Sequence, residues 1–174
     1  MKRHQLEHIL RAAAAITGAD QFVVIGSQAI LGQFANPPAE LLVSIEADFF
    51  SLRGPDDANL IDGSIGEGSP FHQTFGYYAH GVGEETAILP SGWKDRLVPL
   101  RSPQTAGATG LCLEVHDLAV SKLIAGREKD LDFVGALLRH RLANPQIIHD
   151  RLAQTTVDEA RRQLAVQRLQ RLSA

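Results

Sequence analysis

The chain has 174 residues, of which 44% are hydrophobic, with a formal charge of −3 and a single cysteine, Cys112. That length sustains one domain with a real core, and the charge supplies no general basic field of the kind that holds a long nucleic-acid duplex. One cysteine excludes an internal disulfide and a cysteine-based zinc site built from this chain alone, and no apolar run reaches the roughly 18 residues of a membrane span.

Near the N-terminus, Leu6, Ile9, Leu10 and Ala13 fall at helical spacing. This predicts a helix over about 2–17 that stops at Gly18, not the unbroken apolar core of a signal segment. With the lone cysteine, the expectation is a cytoplasmic protein. Residues 21–26, QFVVIG, are a short β-branched run that reads as a buried strand, and Ser27 reads as the N-cap of a second helix. Asn36-Pro37-Pro38 breaks that helix. Residues 40–50 then read as a strand in which Val43, Ile45, Ala47 and Phe49 alternate with Ser44, Glu46 and Asp48. The period of two predicts the first set buried and the second on the opposite face. Residues 56–65 read as a helix, followed by a turn through GSIGEGSP. The pieces TFGYYAHGV, TAILP, RLVPLRS and GLCLEVHD read as short strands that extend the sheet antiparallel.

Residues 116–142 contain no proline, and Leu118, Leu123, Leu131, Val134, Leu137 and Leu138 recur at helical spacing around Gly126. Two helices meeting at that glycine are predicted. Asn144-Pro145 opens another, and TVDEARRQLAVQRLQRL a last one, with Thr156 as N-cap and Glu159 as its capping-box partner. The expected fold class is α/β (α+β): a mixed β-sheet flanked by helices over 1–114, with a C-terminal helical section over 115–174 packed on it as one compact unit.

Two features carry chemistry. Glu46 and Asp48 share one strand face, where like charges repel and a hard divalent cation seeking oxygen ligands is a natural neighbour. The Gly26-Ser27 turn at a helix start offers free backbone N–H groups and a hydroxyl, a seat for a phosphate. The plain alternatives are a solvated strand face and an ordinary capped turn. There is no HExxH pair and no GxSxG elbow, and the Gly63, Gly66, Gly68 cluster lacks the Lys-Ser/Thr of a P-loop.

At these residues the chain resembles the nucleotidyltransferase superfamily of the DNA polymerase β type, in which a Gly-Ser or Gly-Gly turn precedes a strand of alternating acids. FGYYAHGVGEETAILPSGWKDRLVPL and KLIAGREKDLDFV are similar to the middle and late segments of a minimal bacterial group. That group is an uncharacterised nucleotidyltransferase-like domain of unknown function, related to the toxin-type transferases of abortive-infection systems. The resemblance implies transfer of a nucleoside monophosphate from a nucleoside triphosphate to an RNA or protein acceptor with Mg²⁺ (or Mn²⁺). It also implies a toxin-antitoxin or phage-defence setting with a cognate antitoxin or partner protein, and leaves a homodimer open.

Carried over residue by residue, it makes Glu46 and Asp48 the catalytic metal ligands. Lys122 and Asp130 become further catalytic residues, and Gly26, Ser27, Ser44 and Arg127 nucleotide-binding ones. For Lys122 and Arg127 the plain alternative is a solvated helix face, and for Asp130 a favourable place near a helix start. Glu46 stands where the superfamily has Asp, and the gap from Ser27 to Glu46 is longer than the usual motif. No third carboxylate is legible on a neighbouring strand, which leaves His80 and Glu114 as candidates. The alternative function is a catalytically degenerate nucleotide-binding or protein-interaction module of the same fold. A third reading is a structural partner that dimerises through the terminal helix carrying Arg161, Arg162, Arg168 and Arg171.

Overall fold

A computed structural model describes residues 1–173. Helix α1 (Arg3–Thr17) buries Leu6, Ile9, Leu10 and Ala13 and ends at Gly18, whose φ of 73° is the left-handed cap that a Cβ would disfavour. Strand β1 (Gln21–Val24) follows, then the Gly26-Ser27 bend, one 3-10 turn and the short α2 (Ile30–Gln33). Gly26 holds the N-cap position of that turn, and the Ser27 hydroxyl caps nothing. It accepts a hydrogen bond from Lys122 instead.

Strand β2 (Glu46–Ser51) is shorter than expected. Residues Ala39–Leu41 form a 3-10 turn, and Val43 and Ile45 are 79% and 49% exposed, so the burying alternation starts only at Ala47. Neighbouring strands explain this. β3 (Tyr78–Gly81) first pairs at Glu46, with Tyr78 N donating to the Ile45 carbonyl, and β1 pairs at Phe49 to Ser51, so the sheet begins at the edge of Ile45 and reaches no further back. Between β2 and β3 lie α3 (Asp57–Ile65) and α4 (Pro70–Phe75). The second helix shares only Pro70 with the predicted turn and takes Thr74 and Phe75 from the piece read as a strand. Ser69 Oγ accepts from His72 N, and Pro70 sits in the first turn, where its missing N–H costs nothing.

After β4 (Val98–Leu100) and β5 (Thr109–Cys112), the sheet is complete with order β3-β2-β1-β5-β4. TAILP contributes no strand; Pro90 forms only an isolated bridge to Thr155. The expected antiparallel extension is corrected at two places: β3 runs parallel to β2 and β5 parallel to β1, while β1–β2 and β4–β5 are antiparallel. A parallel neighbour requires a crossover connection, and α3 with α4 supplies it for β3.

The C-terminal part is helical: α5 (Val115–Ala125), α6 (Glu128–Arg139), α7 (Pro145–Ala153) and α8 (Glu159–Ser173). Gly126 separates α5 from α6 with φ of 67°, and Asn144 Oδ1 caps α7 by accepting from Gln146 N. At α8 the capping side chain is Asp158, which accepts from Arg161 N, and not Thr156. Arg162 donates to the Leu152 and Ala153 carbonyls and Arg168 to the Leu123 carbonyl, so two arginines of the last helix serve the C-terminal ends of α7 and α5. One hydrophobic core runs from Phe22 and Phe49 of the sheet to Leu118, Leu152 and Leu169 of these helices. Among the described residues no helix is long and apolar enough to cross a membrane.

Candidate active site

Antiparallel pairing sets the end of β1 against the start of β2. Ile25 N donates to the Asp48 carbonyl at 3.0 Å, which brings the Gly26-Ser27 bend beside the acidic strand. A Cβ at residue 26 would overlap Asp48 Oδ2, so glycine is what leaves the carboxylate its place. On the other side of β2, the parallel register sets Tyr78 opposite Glu46 and His80 opposite Asp48. His80 Nδ1 lies 2.9 Å from Glu46 Oε1 and 3.1 Å from Asp48 Oδ1.

The opposite wall comes from α5 and α6. Lys122 Nζ donates to Ser27 Oγ at 2.9 Å and to Asp130 Oδ1 at 3.1 Å, and it lies 4.6 Å from the centre of the Phe133 ring. Arg127 donates through Nε to Asp130 Oδ2 at 2.6 Å and through a second nitrogen to Oδ1 at 3.3 Å. Asp130 and Lys122 are buried, whereas the Arg127 side chain is 64% exposed at the cleft. Asp130 stands in the first turn of α6, where the helix dipole favours a carboxylate, and it also pairs with Lys122 and Arg127.

Electrostatics differ between the two walls. Burial, and then the neighbouring Asp48 carboxylate, push Glu46 above the usual carboxylate value. Burial works to lower His80, but its hydrogen bond to Asp48 and the two carboxylate charges outweigh it and raise the imidazole. Across the cleft, burial lowers the Lys122 ammonium although Asp130 opposes it. Burial would raise Asp130, yet the Arg127 hydrogen bond and the Lys122 charge hold it below its ordinary value.

Between these walls lies a cleft of about 1030 Å³. Glu46, Asp48, Lys122, Asp130, Gly26, Ser27, Ser44 and Arg127 all line it. Ser44 lies ahead of β2 and not on its face as expected, and its hydroxyl is engaged locally, donating to the Glu46 carbonyl and accepting from Glu46 N. Of the two candidates for a third ligand, His80 lines the cleft. Glu114 is elsewhere, capping α5 through His116 N and paired with His116 and Arg151.

Sequence reasoning missed Tyr78, Lys129 and Arg139, which also line the cleft, and Gln28, which is wholly buried and donates to the Ser44 carbonyl at 3.0 Å. A glutamine in the turn just ahead of the apolar run Ala29–Leu31 was a legible signal for the last. Tyr78 carried only the signal of an aromatic pair, Tyr77-Tyr78, able to stack on a base; its place beside Glu46 depends on the parallel register.

A hard divalent ion fits these residues. One oxygen of Glu46, one of Asp48 and a ring nitrogen of His80 all lie within 4.8 Å of one another, and the two carboxylates otherwise face each other with His80 as their nearest counter-charge. A glycine bend and an acidic strand in a mixed sheet, opposed by a basic helical wall, define a nucleotidyltransferase-like protein. The family model described as nucleotidyltransferase of unknown function (DUF6036) matches residues 4–170, and the chain belongs to that family. No curated protein and no solved structure matches it.

Proposed function

We propose that the cleft transfers a nucleoside monophosphate from a nucleoside triphosphate to an RNA or protein acceptor, with Mg²⁺ or Mn²⁺. The observation that carries this reading is the opposition, across one cleft, of the Glu46–Asp48 pair and the Lys122–Arg127 pair, with the Gly26-Ser27 bend between them. A divalent ion bound at the acidic wall neutralises charge on the phosphoryl oxygens and aligns attacker and leaving group.

The chain's own residues do the rest. Glu46 and Asp48 hold the ion, and Gly26 admits close approach of backbone N–H groups to the phosphates. Lys122 and Arg127 offer donors to the phosphates at the far wall, Arg127 from the exposed side and Lys122 through the Ser27 hydroxyl it already holds. Asp130 keeps both cations aimed, its Oδ2 accepting from Arg127 and its Oδ1 from Lys122 and Arg127. At the α-phosphorus a bond to the acceptor's nucleophile forms as the bond to pyrophosphate breaks. The cleft's volume lies at the upper end of the range for small-molecule sites. A toxin-antitoxin or phage-defence role with a cognate partner protein belongs to this reading, resting on the resemblance, read from the sequence, between this group and toxin-type transferases.

The test is pyrophosphate release from each of the four ribonucleoside triphosphates with Mg²⁺ or Mn²⁺, alongside thermal-shift measurements. Asp48→Ala is expected to lower release by at least about 100-fold while the protein stays folded. The presence of a histidine rather than a third carboxylate beside the pair favours a second reading, a binding module without turnover. Nucleotide-induced stabilisation with no pyrophosphate released by any of the four would establish that reading and end the first.

A further inference from the structure

We infer that the acidic end of the cleft is a mixed nitrogen–oxygen metal site, with His80 Nδ1 as third ligand beside Glu46 and Asp48. Its chemistry selects a first-row transition ion of the Mn²⁺ type over Mg²⁺. This inference rests on the metal-dependent reading above and narrows it.

The placement is a consequence of the sheet. β3 lies at the edge, parallel to β2, and its register sets His80 directly beside Asp48. Strand geometry turns residues paired across neighbouring strands to the same face, so the imidazole stands among the carboxylates. Its Nδ1 is 2.9 Å from one carboxylate oxygen and 3.1 Å from the other. Two adjacent ligands of an octahedral ion with bonds of about 2.1 Å are separated by about 3 Å, the same spacing. Among the described residues, no other group of three or more His, Cys, Asp or Glu side chains converges this way. The Asp48 carboxylate is also held in position, since Gly26 leaves it a gap that any other residue would fill.

The choice of ion follows from the donors. Mg²⁺ takes oxygen ligands and gives up its waters reluctantly, so exchanging a carboxylate for a neutral imidazole weakens its site twice, in charge and in donor type. First-row transition ions accept imidazole nitrogen more readily than Mg²⁺ does, and Mn²⁺, the weakest of them in the Irving–Williams series, is the mildest probe of that preference. A third carboxylate would make this a Mg²⁺ site, whereas a histidine tilts it toward Mn²⁺.

The experiment measures the ions alone, without nucleotide, on the full chain. Mn²⁺ binding is followed by electron paramagnetic resonance and competed with Mg²⁺, for the wild type, His80→Ala, His80→Asp and Asp48→Asn. Thermal melts in chelator check that each variant folds. His80→Ala is expected to weaken Mn²⁺ by about tenfold with little change for Mg²⁺, and His80→Asp to shrink the Mn²⁺-to-Mg²⁺ preference by a similar factor. Spin-echo modulation from a directly bound nitrogen should be present in the wild type and lost in both His80 variants. If Asp48→Asn abolishes Mn²⁺ binding but both His80 variants keep the wild-type preference, or if the nitrogen signal is absent, the inference is overturned while the metal-dependent reading survives. If the wild type binds neither ion in an Asp48-dependent way, the reading of the cleft itself fails.

Discussion

Two charged clusters in this molecule follow opposite rules. Beneath the C-terminal helices, Asp117 is completely buried and accepts two hydrogen bonds from Arg96, at 2.9 and 3.0 Å, and an ion pair from Arg151 at 3.0 Å. Glu114 joins the same group through His116 and Arg151. Every carboxylate there has a guanidinium, so the cluster is complete in itself and ties α5 to α7 and to the loop before β4. At the cleft, Glu46 and Asp48 are each about one-third exposed at the side chain, stand side by side, and share a single histidine. The first cluster balances its charge; the second keeps a deficit that a cation would fill. Buried, fully paired charge belongs to architecture, whereas like charge held together at a cleft is where chemistry is to be sought.

The largest expected effects come from neutralising one member of each cluster. Asp48→Asn should cost at least about 100-fold in pyrophosphate release while leaving stability unchanged or raising it by up to about 1 kcal/mol, because a repulsion is removed. Asp117→Ala should do the reverse to stability, lowering it by about 3 kcal/mol by leaving Arg96 and Arg151 without their shared partner. Chemical denaturation of both variants reads this directly. Loss of stability in the first and none in the second would erase the distinction.

An acid titration sharpens it. Burial acts to raise Glu114, but His116 and Arg151 outweigh it and hold the carboxyl at about 2, below the 4.5 of a free glutamate. A depressed carboxylate contributes stability that is present above pH 4.5 and lost as pH falls toward 2. The stability gap between wild type and Glu114→Gln should therefore shrink over that window, by on the order of 2–3 kcal/mol. Glu46 has the opposite sign. Its raised value means that it opposes folding at neutral pH and ceases to do so on protonation, so Glu46→Gln should show a gap that closes as pH falls from neutral.

The smallest effect concerns the last helix. Arg168→Ala removes the hydrogen bond to the Leu123 carbonyl at the end of α5 and should cost about 1 kcal/mol in denaturant melts. An unchanged melting curve, together with loss of self-association, would restore the reading of that helix as a dimerisation surface.

Which parts of the site were legible follows from the range of the forces involved. The left-handed cap at Gly18, the break at Gly126, the Asn144-Pro145 helix start and the paired acids all depend on residues within a turn or two of one another. Their signature is therefore carried by local periodicity and backbone preference. The same local pattern misled at Val43 and Ile45, whose alternation continues that of Ala47 and Phe49, because the sheet ends here and both side chains stay exposed. Ser27 and Asp130 show the complementary case. Each has a sound local explanation, as a cap and as a helix-start acid, and each is occupied instead by Lys122 from another element.

The sequence alone determined that this chain would make strands flanked by helices with a glycine bend and an acidic strand, since helix period, strand period and turn chemistry are properties of short segments. Only the tertiary structure decided that β3 lies parallel to β2, that His80 rather than Glu114 stands with the acids, and that Lys122 crosses to Ser27. Strand direction and register are chosen by hydrogen bonds and burial between segments tens of residues apart, and no local pattern encodes that choice.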